Sequence, residues 1–207
     1  MRIISGHARG LKLKAPHGQA IRPTSDRAKE ALFSIIGYQV REAFVLDLFA
    51  GTGALGLEAL SRGARHVTFV DKSPDALMLI KMNIALFQKS IFPDSSRVPP
   101  LKDQHYSRCK LPVSLCNCDL TRDDFFNKRE RIASQPFFDL IFLDPPYEKG
   151  LCFQTLTYID KCTILAENGL IIAEDRAEVL LPDTFDTLRL VNRRRYGDAG
   201  FWFYNMK

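Results

Sequence analysis

From residue 44 onward, short apolar runs alternate with longer stretches in which apolar residues recur every three or four positions. The first kind of pattern predicts buried strands, the second amphipathic helices. Strands are expected at 44–49, 66–71, near 113–116 and at 138–143, with helices at 54–62 and 74–88. A polar helix near 123–133 precedes the fourth strand and another helix follows it. Strands at 169–174, 185–192 and 201–205 close the series. Strand–helix alternation of this kind implies an α/β fold, a mostly parallel sheet with helices on both faces.

Two regions depart from that rhythm. Residues 1–20 alternate weakly around Gly6, Gly10 and Gly18, which predicts a small hairpin rather than a core element. Thr24 or Ser25 is placed to cap a helix over 26–36, with Ala28, Leu32, Phe33 and Ile36 at helical spacing. Residues 89–111 mix proline, serine and charge without period, as an inserted surface loop does. The expected division is a basic extension, 1–40, and a main domain, 41–207, that carries the insertion.

With 207 residues, 46% of them hydrophobic, the chain is long enough for one domain with a substantial core. No run approaches the roughly 18 apolar residues of a membrane span, and the start lacks a signal-peptide pattern. Five cysteines without any Cys-x-x-Cys read as reduced thiols, with Cys116 and Cys118 expected to be buried. The four histidines have no ligand spacing, so no metal is expected. A cytoplasmic monomer is the expectation.

Charge changes the picture. Residues 1–30 hold seven Lys and Arg against two acids, an excess equal to the net +5 of the whole chain. The remainder balances. A basic segment on a neutral body points to a polyanion, with nucleic acid first among the candidates. Arg2, Arg9, Lys12, Lys14, Arg22, Thr24 and Arg27 are the candidate RNA contacts.

Two loops carry the chemistry. Asp47-Leu48-Phe49-Ala50-Gly51-Thr52-Gly53-Ala54-Leu55-Gly56 joins a strand to a helix, and Asp71 ends the next strand 20 residues after Gly51. That matches a nucleotide-binding fingerprint, in which glycines let the backbone approach a ligand. Asp47 selects among ligands. A pyrophosphate over this loop would face its carboxylate, whereas the ammonium and sulfonium of S-adenosylmethionine (AdoMet) would gain from it. Asp71 is then placed for ribose hydroxyls and Asp119 for the adenine amine. Phe49, Ala50, Gly51, Thr52, Gly53, Lys72 and Leu120 complete the expected cofactor contacts. The second loop, Asp144-Pro145-Pro146-Tyr147, follows a strand apolar on both faces. Its prolines stop strand pairing and stiffen the backbone that holds an acid and a ring.

Together these residues resemble the class I AdoMet-dependent amino-methyltransferases, whose signature is an acid or amide, two prolines and an aromatic residue after the fourth strand. Met1-Arg-Ile-Ile-Ser-Gly6, Ile21-Arg-Pro-Thr-Ser-Asp-Arg27 and Leu57-Glu-Ala-Leu-Ser-Arg-Gly-Ala64 narrow the resemblance to the bacterial RsmD family. Lys29 stands where that family usually has arginine. The resemblance implies a Rossmann-like fold with a seven-stranded sheet. It also implies methyl transfer from AdoMet to N2 of a guanine in 16S ribosomal RNA, on the assembled small subunit.

The second loop suits that chemistry. An exocyclic amine is a poor nucleophile because its lone pair is delocalised into the ring. Acceptors at Asp144 and the Pro145 carbonyl would favour a pyramidal nitrogen, and Tyr147 offers a face for a flipped base. An adenine-N6 methyltransferase would use the same loop. A nicotinamide-dependent oxidoreductase has no use for Asp144-Pro-Pro-Tyr, and a non-catalytic RNA-binding protein has no need of both loops.

Overall fold

The computed structural model describes residues 1–15, 26–93, 111–121, 137–147, 149–162 and 164–207. Seven strands make one sheet: β1 (Phe44–Leu48), β2 (His66–Asp71), β3 (Val113–Asn117), β4 (Phe138–Leu143), β5 (Leu165–Arg176), β6 (Leu188–Tyr196) and β7 (Ala199–Met206). Their order is β3-β2-β1-β4-β5-β7-β6. The first five in that order are parallel; β7 lies antiparallel between β5 and β6. The described helices are α1 (Asp26–Ile36), α2 (Ala54–Ser61), α3 (Pro74–Ile91) and α4 (Leu151–Lys161).

Alternation along each strand divides the core. Val45, Val67, Phe69 and Phe142 pack with α1, α2 and α3 on one face. Leu46, Leu48, Val70 and Leu143 pack with α4 on the other. From β1 the chain steps to β2 on one side and returns to β4 on the other, so the order reverses between them. The carboxyl ends of β1 and β4 therefore flank a crevice, the place where open α/β sheets bind ligands.

The N-terminal segment departs from expectation. Arg2 and Lys12 do pair in an antiparallel bridge, but Ile3 is 0% exposed and Leu13 joins the same core cluster as β1 and α2. A Cβ on Gly6 would lie 1.8 Å from the Ser61 carbonyl oxygen, so glycine lets the turn seat on the end of α2. There Glu58 accepts from the Ile4 and Ser5 amides at 2.7 and 3.0 Å. The hairpin itself is present, with Ile3 donating to the Leu11 carbonyl at 2.9 Å and Leu13 to that of Met1 at 3.2 Å.

Element ends shift for local reasons. β6 starts at Leu188, not 185, because the Asp160 carboxylate at the end of α4 accepts from the amides of Asp186, Thr187 and Leu188 and holds them in a turn. β5 begins at Leu165 and accommodates a register shift against β4 between Phe138 and Leu140. Cys116 and Cys118 are half-buried rather than buried, since β3 is the edge strand. Residues 94–110 of the insertion, the polar helix at 123–133, Thr24 and Ser25 lie outside the described residues.

Candidate active site

The loop after β1 folds by left-handed backbone at Phe49 (φ 57°), Gly51 (φ 54°) and Gly53 (φ 74°). Phe49 is the costly one, because a side chain there is strained and such strain gathers at functional sites. Gly53 donates to the Ala50 carbonyl at 2.7 Å, and Ala50 donates to Val70 of β2 at 3.1 Å. At Gly56 a Cβ would come 2.3 Å from the Phe69 ring and 2.9 Å from Asp47 Oδ2. The glycine thus allows α2 to start against the strand.

Asp47 is 2% exposed, and its Oδ2 accepts from the Gly56 amide at 2.9 Å. Burial pushes its carboxyl up to about 8, Asp71 adds to the rise and the Gly56 amide opposes it. Asp71 accepts from Gly51 at 2.9 Å with one oxygen and from Ser73 at 2.8 Å with the other. It therefore holds the glycine loop while each oxygen keeps a lone pair for a further donor. Asp119 holds the amide and hydroxyl of Thr121 at 3.1 and 2.7 Å, with Lys72 Nζ 3.9 Å away. Leu120 is 2% exposed, so its side chain belongs to the core.

Asn83 of α3 was not legible as a site residue. It is 0% exposed, donates to the Thr52 carbonyl at 2.9 Å and exchanges hydrogen bonds with the Lys14 backbone at 2.8 and 3.1 Å. One buried amide thus ties the glycine loop to the N-terminal segment.

Asp144 follows β4, and the Asp-Pro-Pro-Tyr loop meets the end of β5. Tyr147 donates its hydroxyl to Glu174 Oε1 at 2.9 Å, and Cys152 of α4 donates its thiol to the Glu174 carbonyl at 3.2 Å. Pro145 is buried and Pro146 exposed. Burial raises Asp144 well above the usual carboxylate range, and the carboxylates of Glu174, Asp47 and Asp175 raise it further. Burial and Glu174 likewise push the Tyr147 hydroxyl up. Glu174 and Asp175 are buried acids that the sequence reading passed over. The available signal was an acid closing the apolar run 170–173, the same pattern that marked Asp47 and Asp71.

The basic candidates do not form one patch. Lys14 lies by the glycine loop through Asn83, and Arg2 pairs with Asp26 at 3.1 Å on the surface. Lys12 and Arg27 are exposed. Arg9 belongs to the turn on the last residues of α2, at the amino edge of the sheet and away from Asp144. Lys29, part of the basic excess, is 1% exposed and pairs with Glu58 at 3.3 Å, so it is no surface charge. Arg22 and Thr24 lie outside the described residues.

Residues 1–96 and 101–205 match the family described as Conserved hypothetical protein 95. The chain belongs to this family, the RsmD family of ribosomal RNA methyltransferases. It is 36% identical over its full length, and the relative's, to the Bacillus subtilis protein named "Putative rRNA methyltransferase YlbH". It is 30% identical to "Ribosomal RNA small subunit methyltransferase D" of Haemophilus influenzae, over 91% of this chain and 86% of that protein. Among solved structures it resembles one titled "Putative methyltransferase yhhF from Escherichia coli", with TM-score 0.76 and 26% identity over 100% of this chain and 98% of that one. The fold is the class I methyltransferase fold, and the protein is a methyltransferase.

The site fits the methyl donor of such enzymes. Carboxylates stand at or just beyond the carboxyl ends of β1, β2, β3 and β4, namely Asp47, Asp71, Asp119 and Asp144. Their oxygens suit a ligand with hydroxyls and amines, and a cationic ligand would favour the ionised forms of Asp47 and Asp144 that burial disfavours. Among the described residues no helix is long and apolar enough to cross a membrane, and no His, Cys, Asp or Glu group is arranged for a metal.

Proposed function

We propose that the protein transfers a methyl group from AdoMet to the exocyclic N2 of one guanine in 16S ribosomal RNA, on the assembled small subunit in the cytoplasm. The observation that carries the reading is Asp144 on a proline-held backbone, beside an acid-rimmed glycine loop and a tyrosine anchored to Glu174. AdoMet, when bound, supplies an electrophilic methyl carbon and leaves as S-adenosylhomocysteine.

The protein's own part is positioning. Asp47, Asp71 and Asp119, with the backbone from Phe49 to Gly53, Lys72 and Leu120, hold the cofactor by charge and hydrogen bonds. Asp144 and the Pro145 carbonyl accept the two N–H bonds of the guanine amine and aim its lone pair. Pro146 keeps the loop stiff, so little reorganisation is needed in the transition state. Tyr147 stacks on the flipped base. The nitrogen's extra proton leaves to solvent after transfer, so no strong base is required. The basic extension, residues 1–40, docks on phosphates through Arg2, Lys12, Lys14, Arg22, Thr24 and Arg27, with Arg9 as an outlying contact.

Membership of the RsmD family favours this reading over adenine-N6 methylation, and relatives named for the small ribosomal subunit favour ribosomal RNA over DNA. Mapping of methylated nucleotides in ribosomal RNA from cells lacking the protein tests it. One 16S guanine should lose its N2 methyl group and regain it on complementation; an unchanged 16S map overturns the reading.

A further inference from the structure

The charge balance of the chain beyond residue 30 is an average. Residues 188–207 carry Arg189, Arg193, Arg194, Arg195 and Lys207 against one acid, Asp198. The arginine triplet lies on β6, the terminal strand of the sheet, and all three are exposed. Register gives their place. Leu143 pairs with Ala173, so Asp144 lies level with Glu174; Glu174 pairs with Phe201, and Phe201 with Arg194. Cross-strand partners share a face. Asp144, Glu174, Phe201 and Arg194 therefore make a row across the catalytic edge. Strands about 4.8 Å apart put Arg194 about 14 Å from Asp144.

The three arginines are not equivalent. Arg193 is committed: it donates to the Ala177 carbonyl at 2.8 Å and lies 4.9 Å over the Trp202 ring. Arg195 donates Nε to the Gly197 carbonyl at 2.9 Å and pairs through Nη2 with Glu178 at 3.2 Å; both side chains are over 60% exposed, so this surface pair holds weakly. Arg194 donates to the Arg193 carbonyl at 3.1 Å and turns the rest of its fork to solvent. Edge strands are often guarded by lysine. Arginine forks instead match phosphate oxygens two at a time.

We propose that Arg194 and Arg195, on opposite faces of the outermost strand at the catalytic edge, flank a second phosphate-binding surface for the substrate RNA. The inference rests on the RNA reading above. Lys14 and Met1 reach the catalytic edge beside Thr52, on the β1–β2 side. Arg194 stands on the β6 side, so an RNA strand gripped at both places crosses the Asp144 loop between them.

The test compares wild type, Arg194→Ala/Arg195→Ala and Arg194→Lys/Arg195→Lys on purified, unmethylated small subunits. The alanine pair should raise KM at least about tenfold at near-physiological salt and lower the salt slope of binding by roughly 1.4–1.8, two phosphate contacts' worth. AdoMet affinity and melting temperature should stay unchanged, and the lysine pair should recover the slope. An unchanged KM and slope in the alanine pair overturns the inference while wild-type activity leaves the methyltransferase reading standing. Self-association of the alanine pair with an unchanged slope also overturns it, and makes the row an edge guard. A wild type that methylates no RNA overturns the functional reading, and this inference with it.

Discussion

The Tyr147 hydroxyl donates to Glu174 across 2.9 Å, tying the aromatic end of the Asp-Pro-Pro-Tyr loop to the neighbouring strand. Tyr147→Phe keeps the ring and loses the tie, so methyl transfer should fall only a few-fold. Tyr147→Ala removes the stacking face, worth about 1–3 kcal/mol per base, and should act mainly on RNA affinity. Equal losses in both variants would make the hydroxyl, not the ring, the working group.

Asp144→Ala should leave AdoMet affinity largely intact and lower single-turnover methyl transfer about a hundredfold or more, the usual loss for one oriented transition-state contact. Burial and the carboxylates of Glu174, Asp47 and Asp175 favour the protonated form of Asp144. The ionised acceptor therefore accumulates as pH rises, and the rate should rise with it. Glu174→Gln keeps an acceptor for Tyr147 and removes one neighbouring charge, so the rate profile should move to lower pH. A profile that stays in place would show that Asp144 does not limit the rate.

Asp47, pushed up to about 8 by burial, holds a proton at neutral pH in the free protein. A bound cation favours its ionised form. AdoMet binding at pH 7 should release a proton, and affinity should rise with pH until about 8 and then level off. Calorimetry in two buffers of different ionisation heat measures the release, and Asp47→Asn should abolish this component. Buffer-independent heats in the wild type would place Asp47 in a purely structural role at the start of α2.

Glu58 is 0% exposed and holds Lys29, Arg62 and two amides of the N-terminal segment. Glu58→Ala removes the counter-ion of the buried Lys29 ammonium, leaving it the Arg2 carbonyl at 2.5 Å, and should cost about 3–5 kcal/mol in urea unfolding. A cost below about 1 kcal/mol would mean that Lys29 finds water or another partner. Removing residues 1–20 is consequently no clean test of RNA docking, since it also uncovers core around Ile3 and Leu13. Charge reversal at exposed Lys12 or Arg27 tests docking without that loss.

The strand–helix rhythm, the glycine loop and the Asp-Pro-Pro-Tyr loop were all legible in the amino-acid sequence, because each rests on local backbone physics. Apolar runs make strands, glycines permit left-handed turns, and prolines end pairing. The position of Asp71 at a strand end was legible for the same reason. Contacts between residues far apart in the chain were not. Only the tertiary structure brings Glu174 to Tyr147, 27 residues away, through the pairing of β5 with β4. Only it turns Lys29 inward to Glu58 and seats Asn83 between Thr52 and Lys14. Buried polar groups need partners wherever the fold supplies them, and neither composition nor spacing encodes which distant residue that is. Charge behaves likewise: the sequence counts it, but strand register sets Arg194 level with Glu174 and the seat of the turn on α2 carries Arg9 to the opposite edge.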